Sequence, residues 1–413
     1  MYKGNLKILF ISNFFPPETG AGSIRVEELA RRWSSNGHKV TILTGYPNYP
    51  RYEIYEGYKN RLISYEKWNG LDVIRTYTYV PRKATIIQRL FGQVMFMICG
   101  ILGGLFATKP DIIVASSPPF SVGFTAFVLS IIRRRPFIFD VRDPYPEAPI
   151  ELGVITNPVL IFILRKIERM FYNSATAVVT VTQGFKDILV RNGCPCGKCY
   201  VVPNGVNVNF FQKLPSQDRN SILLKFGLQD KFNVVYTGTL GRVHNLKIMI
   251  EAGSRLKEDE GIRFVIAGEG AKRQEIEKMI AELQLKNFVI MNSIPKDDVR
   301  ELLSVADIGF QALEDIDYIA GAHAVKIFEY MAMGLPVIFS GRGESKMLIE
   351  NADCGICCGQ NDLEGVINAI NTLKENPDLR KRYGMNGRLY VERNFDRGML
   401  ADSFLSIIKN CGR

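Results

Sequence analysis

The segment "DVRDPYPEAP" gathers Asp140, Arg142, Asp143 and Glu147 into eight positions at the end of an apolar run. Carboxylates in such a cluster can orient or deprotonate a hydroxyl, and an arginine can hold an anion. Open α/β sheets place their binding residues at the carboxyl ends of strands, which is where this cluster falls. The structural alternative is that Asp143 caps the following turn and pairs with Arg142. A second stretch, "KILFISNFFPPETGAGSIRVEELARRW" from Lys7, leads an apolar run through Gly20 and Gly22 to Ser23 and an amphipathic pattern. A helix starting there points free N–H groups and its positive dipole end at an anion, phosphate above all. The bland reading is a tight turn that uses glycine for its conformational freedom.

Two familiar phosphate sites do not fit this loop. A dinucleotide fold needs G-x-G-x-x-G directly after the strand and an acidic residue ending the second strand. Here about ten residues separate Ser12 from Ser23, Arg25 takes the third glycine position, and "TILTGYP" ends without a carboxylate. No G-x-x-x-x-G-K-[ST] occurs, which argues against a P-loop.

The elements that position these groups follow from the alternation of apolar, β-branched runs with helical patterns. Strands are expected at Lys7 to Ser12, Val40 to Thr44, around Leu62 and Ile63, and at Asp72 to Thr76, Asp111 to Ala115, Phe137 to Phe139, Ala177 to Thr182 and Cys199 to Val202. A second series runs through Asn233 to Tyr236, Arg263 to Ala267, Val289 to Met291, Ile308 to Gln311, Pro336 to Phe339 and Gly355 to Cys358. Such alternation implies parallel sheets with helices on both faces, and two series imply two doubly wound α/β domains. A chain of 413 residues suits two domains rather than one. The polar stretch "VVPNGVNVNFFQKLPSQDRN" sets the boundary near Gly205, giving domains over 1–205 and 206–390 and a helical tail over 391–413.

The net charge of +10 favours an anionic partner, and its distribution narrows the choice. Between Val73 and Phe139 the only acid is Asp111, against Arg75, Arg82, Lys83, Arg89, Lys109, Arg133, Arg134 and Arg135. The same window holds "LFGQVMFMICGILGGLFA", Leu90 to Ala107, near the length of a membrane span but interrupted by four glycines and Gln93. A strand-like run follows at once, so a buried or interfacial helix is expected rather than a span. Basic flanks on an apolar helix suit an anionic membrane surface; with no interleaved aromatics, nucleic acid is not an expected partner. "MYKGNLKILF" lacks a secretory h-region, so a cytosolic protein with reduced cysteines is expected. "CPCGKC" and "CGICC" each contain C-x-x-C, half of a zinc site; two loops in separate domains that never meet are the favoured reading, and no metal site is expected.

"VVPNGVN", "YTGTLGRVHNL", "IAGEG" and "AVKIFEYMAMGLPVI", in that order, together with "PPETGAGS" and "DVRDPYPE", resemble the retaining, nucleotide-sugar-dependent glycosyltransferases of the GT-B fold, in the glycosyl transferases group 1 family (family four). The nearest likeness is to bacterial enzymes of capsule, O-antigen and colanic acid synthesis, such as N-acetyl-L-fucosamine transferases. The resemblance implies two Rossmann-like domains facing a cleft, a nucleotide sugar held mainly by the second, and a last helix that returns to the first. It implies transfer of a hexose or N-acetylated amino sugar, from a donor expected to be UDP-linked, to a polyprenyl-diphosphate-linked saccharide, by a protein peripheral on the inner face of the membrane.

Site roles follow from the same resemblance. Charge on the departing diphosphate must be stabilised, and no D-x-D stands in a suitable place, since Asp315 and Asp317 read as a loop. Arg242 and Lys326 are the expected catalytic cations, acting without metal or other cofactor. The family's G-R-x-x-x-x-K places fall here on Thr239 and His244, and the first of its two glutamates falls on Gly321. The second is Glu329, implied to accept the ribose hydroxyls. Gly238, Glu269, Ile294 and the backbone of His323, Ala324 and Val325 complete the implied donor site, with Gly20, Gly22 and Ser23 at the diphosphate. Asp140, Arg142, Asp143 and Glu147 are the implied acceptor residues, with Asp143 and Glu147 as candidate catalytic carboxylates. Two rival readings are a nucleotide-sugar epimerase of the same shape and a non-catalytic binder of anionic lipid or nucleic acid.

Overall fold

The computed structural model describes residues 4–18, 20–49, 52–80, 85–214 and 218–411. Arg82 and Lys83 of the basic window lie outside the described residues. The chain divides into two compact units, one comprising Met1–Asn204 with Arg397–Arg413, the other Gly205–Asp396.

The first unit is built on strands β1 (Lys7–Ser12), β2 (Lys39–Gly45), β3 (Ile63–Trp68), β4 (Leu71–Thr76), β5 (Ile112–Ser117), β6 (Phe137–Val141), β7 (Ala177–Thr180) and β8 (Cys199–Val201). Their order is β3-β4-β2-β1-β5-β6-β7-β8. All neighbours are parallel except β3 and β4, which pair antiparallel with Trp68 opposite Leu71. An all-parallel sheet was the expectation. The exception follows from Asn69 and Gly70, both at positive φ, which make the two-residue hairpin turn that Asn-Gly favours. The central strands β1 and β5 are buried on both faces, hence their continuous apolar sequence.

Helices α1 (Ala21–Ser35), α2 (Ile86–Phe106), α3 (Ser121–Arg133), α4 (Glu147–Glu151), α5 (Pro158–Ser174) and α6 (Gln183–Arg191) connect these strands. One face of the sheet packs on α1, and the other on α2, α3 and α5 through Phe96, Val122, Ala126, Leu129, Phe171 and Tyr172. The glycines that weakened the span reading of α2 turn out to be its contact face. A Cβ on Gly103 would lie 3.0 Å from Leu43, and one on Gly104 2.9 Å from Leu129. Thus α2 is a crossover helix between strands of one sheet. Among the described residues it is nonetheless the one helix long and apolar enough to cross a membrane, and Leu90, Phe91, Val94, Ile98, Leu102 and Phe106 on its outer side are exposed.

The second unit carries β9 (Phe232–Thr237), β10 (Ile262–Ala267), β11 (Phe288–Met291), β12 (Ile308–Ala312), β13 (Val337–Ser340) and β14 (Gly355–Cys358), all parallel, in the order β11-β10-β9-β12-β13-β14. Its helices are α7 (Arg219–Lys225), α8 (Lys247–Arg255), α9 (Arg273–Glu282), α10 (Lys296–Ser304), α11 (Asp317–Ala320), α12 (Val325–Ala332), α13 (Glu344–Ala352), α14 (Leu363–Glu375) and α15 (Pro377–Asn394). The order reverses at β9 and β12, the switch point where ligands of open α/β sheets bind.

The tail divides later than residue 391. Residues through Asp396 stay with the second unit because Val206 N–H donates to the Phe395 carbonyl at 2.9 Å and Phe395 packs on Phe328 with ring centroids 4.7 Å apart. The last helix, α16 (Arg397–Cys411), belongs to the first unit and buries Leu400, Ala401, Phe404, Leu405 and Ile408 in its core. Trp33 of α1 donates to the Ala401 carbonyl at 3.0 Å, and its ring meets Phe404 edge to face.

Candidate functional site

At the switch point of the second unit, β9 ends in Tyr236 and Thr237 and turns through Gly238 at φ 128°. That conformation favours glycine, and a side chain there would also lie 3.1 Å from the Lys326 ammonium. The loop after β10 is locked against the loop after β9. A Cβ on Gly268 would fall inside the Gly238 carbonyl, and Leu240 N–H donates to the Glu269 carbonyl at 2.8 Å. The "YTGTLG" and "IAGEG" motifs are therefore one interlocked scaffold.

Lys326, in the first turn of α12, reaches this scaffold. Its Nζ donates to the Tyr236 hydroxyl at 2.6 Å and lies 3.8 Å from that ring's centroid. The Tyr236 hydroxyl in turn donates to the Thr239 carbonyl at 2.7 Å. Burial draws the Lys326 ammonium down to about 7, opposed by the charge of Glu329 one turn along the same helix. His244 is held neutral, its pKa lowered by burial and then by Lys326 and Lys272, and its Nδ1 lies 3.2 Å from Gln311 Nε2. Thr237 Oγ1 and Gln311 Oε1 are buried without hydrogen-bond partners among the described residues. Tyr236 opens the YTGTLG motif but was given no role from the sequence, and Gln311 lay outside every motif, marked only as a polar residue inside an apolar strand.

Of the backbone donors expected at the start of α12, Ala324 N–H is already spent on Ser345 Oγ at 3.1 Å. Ser345, in the first turn of α13, thereby ties the start of α12 in place, and it also donates to the Ala322 carbonyl. The N–H groups of His323 and Val325 have no such partner among the described residues. The His323 ring serves packing, edge-on to Phe328, with Nε2 3.5 Å from Glu344. Arg242 is exposed in the loop after β9 and makes no ion pair among the described residues. Glu269 pairs with Arg273 at 2.9 Å, and Ile294 is half-buried in the loop after β11. Asp315 and Asp317 both pair with Arg342. The cysteine pairs divide between the units, and no set of three or more metal-ligating side chains gathers among the described residues.

In the first unit the acceptor residues separate. Asp140 is fully buried; it accepts from Ser116 Oγ at 2.7 Å and faces Arg25 at 3.4 Å. Glu147 is held by Arg165 at 2.9 Å and by Asn192 at 2.9 Å. These two carboxylates are engaged in pairs within the first unit. Asp143 stands half-buried in the turn after β6. Arg142 donates through Nε to the Ser117 carbonyl at 2.9 Å, and its guanidinium lies against Gly22 at the start of α1.

Residues 218–390 match the family model "Glycosyl transferases group 1", and residues 22–210 match "Glycosyltransferase Family 4". WcaI of Escherichia coli, named for colanic acid biosynthesis, is 22% identical over 98% of this chain and 100% of its own. The alpha-monoglucosyldiacylglycerol synthase of Streptococcus pneumoniae is 21% identical over 92% of this chain and 81% of its own. Among solved structures, Anabaena HepE in complex with UDP and glucose superposes with a TM-score of 0.75 at 16% identity, covering 98% of this chain and all of that one. Sucrose-phosphate synthase from Thermosynechococcus elongatus superposes with a TM-score of 0.75 at 17% identity, over 98% and 99% of the two chains. With a family four domain over residues 22–210, a group 1 domain over residues 218–390 and two Rossmann-like sheets to match, the chain is a glycosyltransferase of the GT-B type.

Proposed function

We propose that the chain transfers a hexose or N-acetylhexosamine, with retention and without metal, from a UDP-linked donor to a polyprenyl-diphosphate-linked saccharide of bacterial surface polysaccharide. The observation that carries this reading is Lys326, held by Tyr236 beside Gly238 at the switch point. A poorly solvated lysine near neutrality takes up a proton when a diphosphate arrives, and its charge then matches the charge that grows on the leaving group. The N–H groups of His323 and Val325 add donors at a helix start. Glu329, on the same helix, accepts from the ribose hydroxyls. In a front-face displacement the anomeric carbon–phosphate oxygen bond breaks, the acceptor oxygen bonds to that carbon on the same face, and its proton passes to the departing phosphate. Arg242, exposed on the neighbouring loop, supports the outer phosphate.

The domain limits enter the proposal with the acceptor on the first unit and the nucleotide on the second. Leu90, Phe91 and Phe106 of α2, with Val159, Phe162 and Ile163 of α5, form exposed apolar surface beside Arg89, Lys109, Arg134 and Lys166. Apolar contact with cationic neighbours suits peripheral binding to an anionic cytoplasmic leaflet. Part of the basic window is structural instead. Arg75 is fully buried against Glu66 and the Gly45 and Pro16 carbonyls, and Arg133 caps the end of α2 at the Gly104 and Ala107 carbonyls.

The test is transfer by purified protein in EDTA, using UDP-glucose, UDP-N-acetylglucosamine and related donors with a lipid-linked saccharide extract. The reading predicts UDP release that requires the extract and a product whose anomeric configuration, by NMR, matches the donor's. Inversion of configuration, or epimerised nucleotide sugar without an acceptor, contradicts it.

A further inference from the structure

Between β2 and β3 runs "YPNYPRYEIYEGYKNRL", residues 46–62, in which tyrosine recurs at every third position as Tyr46, Tyr49, Tyr52, Tyr55 and Tyr58. The described residues of this loop contain no helix or strand, and a connection so long without elements of its own is uncommon unless it serves a function. Because β3 is antiparallel to β4, the loop leaves β2 and enters β3 at one carboxyl edge, the edge from which the parallel β1 sends its own loop to α1. Three of the five tyrosines build the loop. Tyr46 is 3% exposed and its hydroxyl donates to Ser64 Oγ at 2.7 Å, while Tyr58 meets Tyr46 edge to face and lies 4.9 Å from the Arg75 guanidinium carbon. The Tyr55 hydroxyl donates to the Tyr49 carbonyl at 2.8 Å.

Tyr49 is what the rest of the loop holds up. Glu18, 3% exposed, accepts through one carboxylate oxygen from the Asn48 and Tyr49 N–H groups at 2.8 and 2.9 Å. Burying a carboxylate is costly, and here it fixes the backbone of a residue whose own side chain stays 43% exposed. The Tyr49 ring meets Phe14 at 5.8 Å and Tyr52 at 6.4 Å, and its Cε1 lies 3.9 Å from where a Cβ on Gly20 would stand. Its hydroxyl makes no hydrogen bond among the described residues. Close by, Asn13 at the end of β1 is half-buried, with Oδ1 3.8 Å from the Cβ position of Gly45, and its side chain also has no partner among the described residues. An aromatic platform with an unspent hydroxyl and an unspent amide matches a pyranose ring, which offers an apolar face of C–H groups bordered by hydroxyls. A hydrocarbon chain has no use for those polar groups, and the first unit offers it aliphatic surface on α2 and α5 instead.

We propose that Tyr49, flanked by Phe14 and Asn13, is the stacking subsite for a sugar ring of the acceptor's saccharide and so a determinant of acceptor specificity. This rests on the proposed lipid-linked saccharide acceptor and gives its carbohydrate a place in the first unit. Tyrosine suits the task because it supplies a large, rigid contact with little side-chain entropy to lose.

The experiment compares wild type, Tyr49→Ala and Tyr49→Phe as full chains, with unchanged melting temperatures establishing that each is folded. One readout is saturation-transfer NMR with the saccharides released by mild acid from the lipid-linked extract, and the other is the KM for the intact extract in the transfer assay. The expected result is saturation of pyranose C–H protons by wild type and Tyr49→Phe, reduced roughly fivefold or more in Tyr49→Ala, with a matching rise in KM for the extract and a KM for the UDP sugar within about twofold of wild type. Equal saturation in Tyr49→Ala, or none in wild type, overturns the proposal. A KM that rises for the extract while the released saccharides are saturated equally also overturns it, since the ring then meets the carrier lipid. A wild type that transfers no sugar contradicts the proposed function, and the NMR comparison still decides whether Tyr49 meets carbohydrate.

Discussion

Lys326 is the residue whose chemistry is most exposed to test, because its proton is poised. In the free protein it is charged only below about 7, and a bound diphosphate needs it charged. Binding above that pH must therefore take up a proton, so UDP affinity falls as pH rises from 7.5 to 9, by at most about tenfold per unit. Calorimetry in buffers of different ionisation enthalpy reads the proton directly; a flat profile with no uptake contradicts the assignment. Lys326→Arg, always charged, should flatten the profile while weakening binding, since a planar guanidinium does not replace an ammonium against Tyr236. Arg242→Ala should raise the Kd for UDP only two- to threefold, as exposed charges contribute about 1 kcal/mol or less. Lys326 and Glu329 stood out in the sequence as motif positions, Lys326 now seen against Tyr236. Tyr236 was not, because nothing in "NVVYTG" separates a tyrosine that packs from one that anchors a lysine. For Asp140 and Glu147 the sequence showed charge but not the pairing with Arg25 and Arg165, which come from other helices.

At the scale of elements, every expected strand exists, because apolar β-branched runs bounded by turns report burial on both faces of a parallel sheet. The antiparallel pairing of β3 was missed although "WNGL" contains its turn, since the alternation of strand and helix around it was given more weight. The interlocked glycines make a sharp prediction. Gly268→Ala drives a methyl into the Gly238 carbonyl, so it should lower the melting temperature of the second unit by roughly 4–8 °C and remove stabilisation by UDP. An unchanged melting curve would mean that the two loops are not locked. Deleting α16 uncovers five buried side chains from the core of the first unit. At roughly 1.5–3 kcal/mol for each of Leu400, Phe404, Leu405 and Ile408 the loss rivals a domain's entire stability, so the truncated chain should lose the first unit's cooperative transition in calorimetry.

Over the whole molecule, charge and apolar surface belong together on the first unit. The window rich in arginine was legible, but its division of labour was not: Arg75 and Arg133 hold the fold, while Arg89, Lys109 and Arg134 reach the surface. Peripheral attachment then predicts flotation with vesicles containing anionic lipid, reduced by high salt and by Leu90→Asp with Phe162→Asp, at unchanged melting temperature. Equal flotation with neutral vesicles would contradict the electrostatic part of this account.

The measurement that bears most directly on the central claim is the affinity for UDP in EDTA of wild type, Lys326→Ala and Glu329→Gln. A diphosphate held by Lys326 and a ribose held by Glu329 predict binding by the wild type and a loss of roughly tenfold to a hundredfold in each variant, with folding intact. Absence of UDP binding by wild type, or equal affinity in the variants, would contradict a donor site at the junction of β9 and β12.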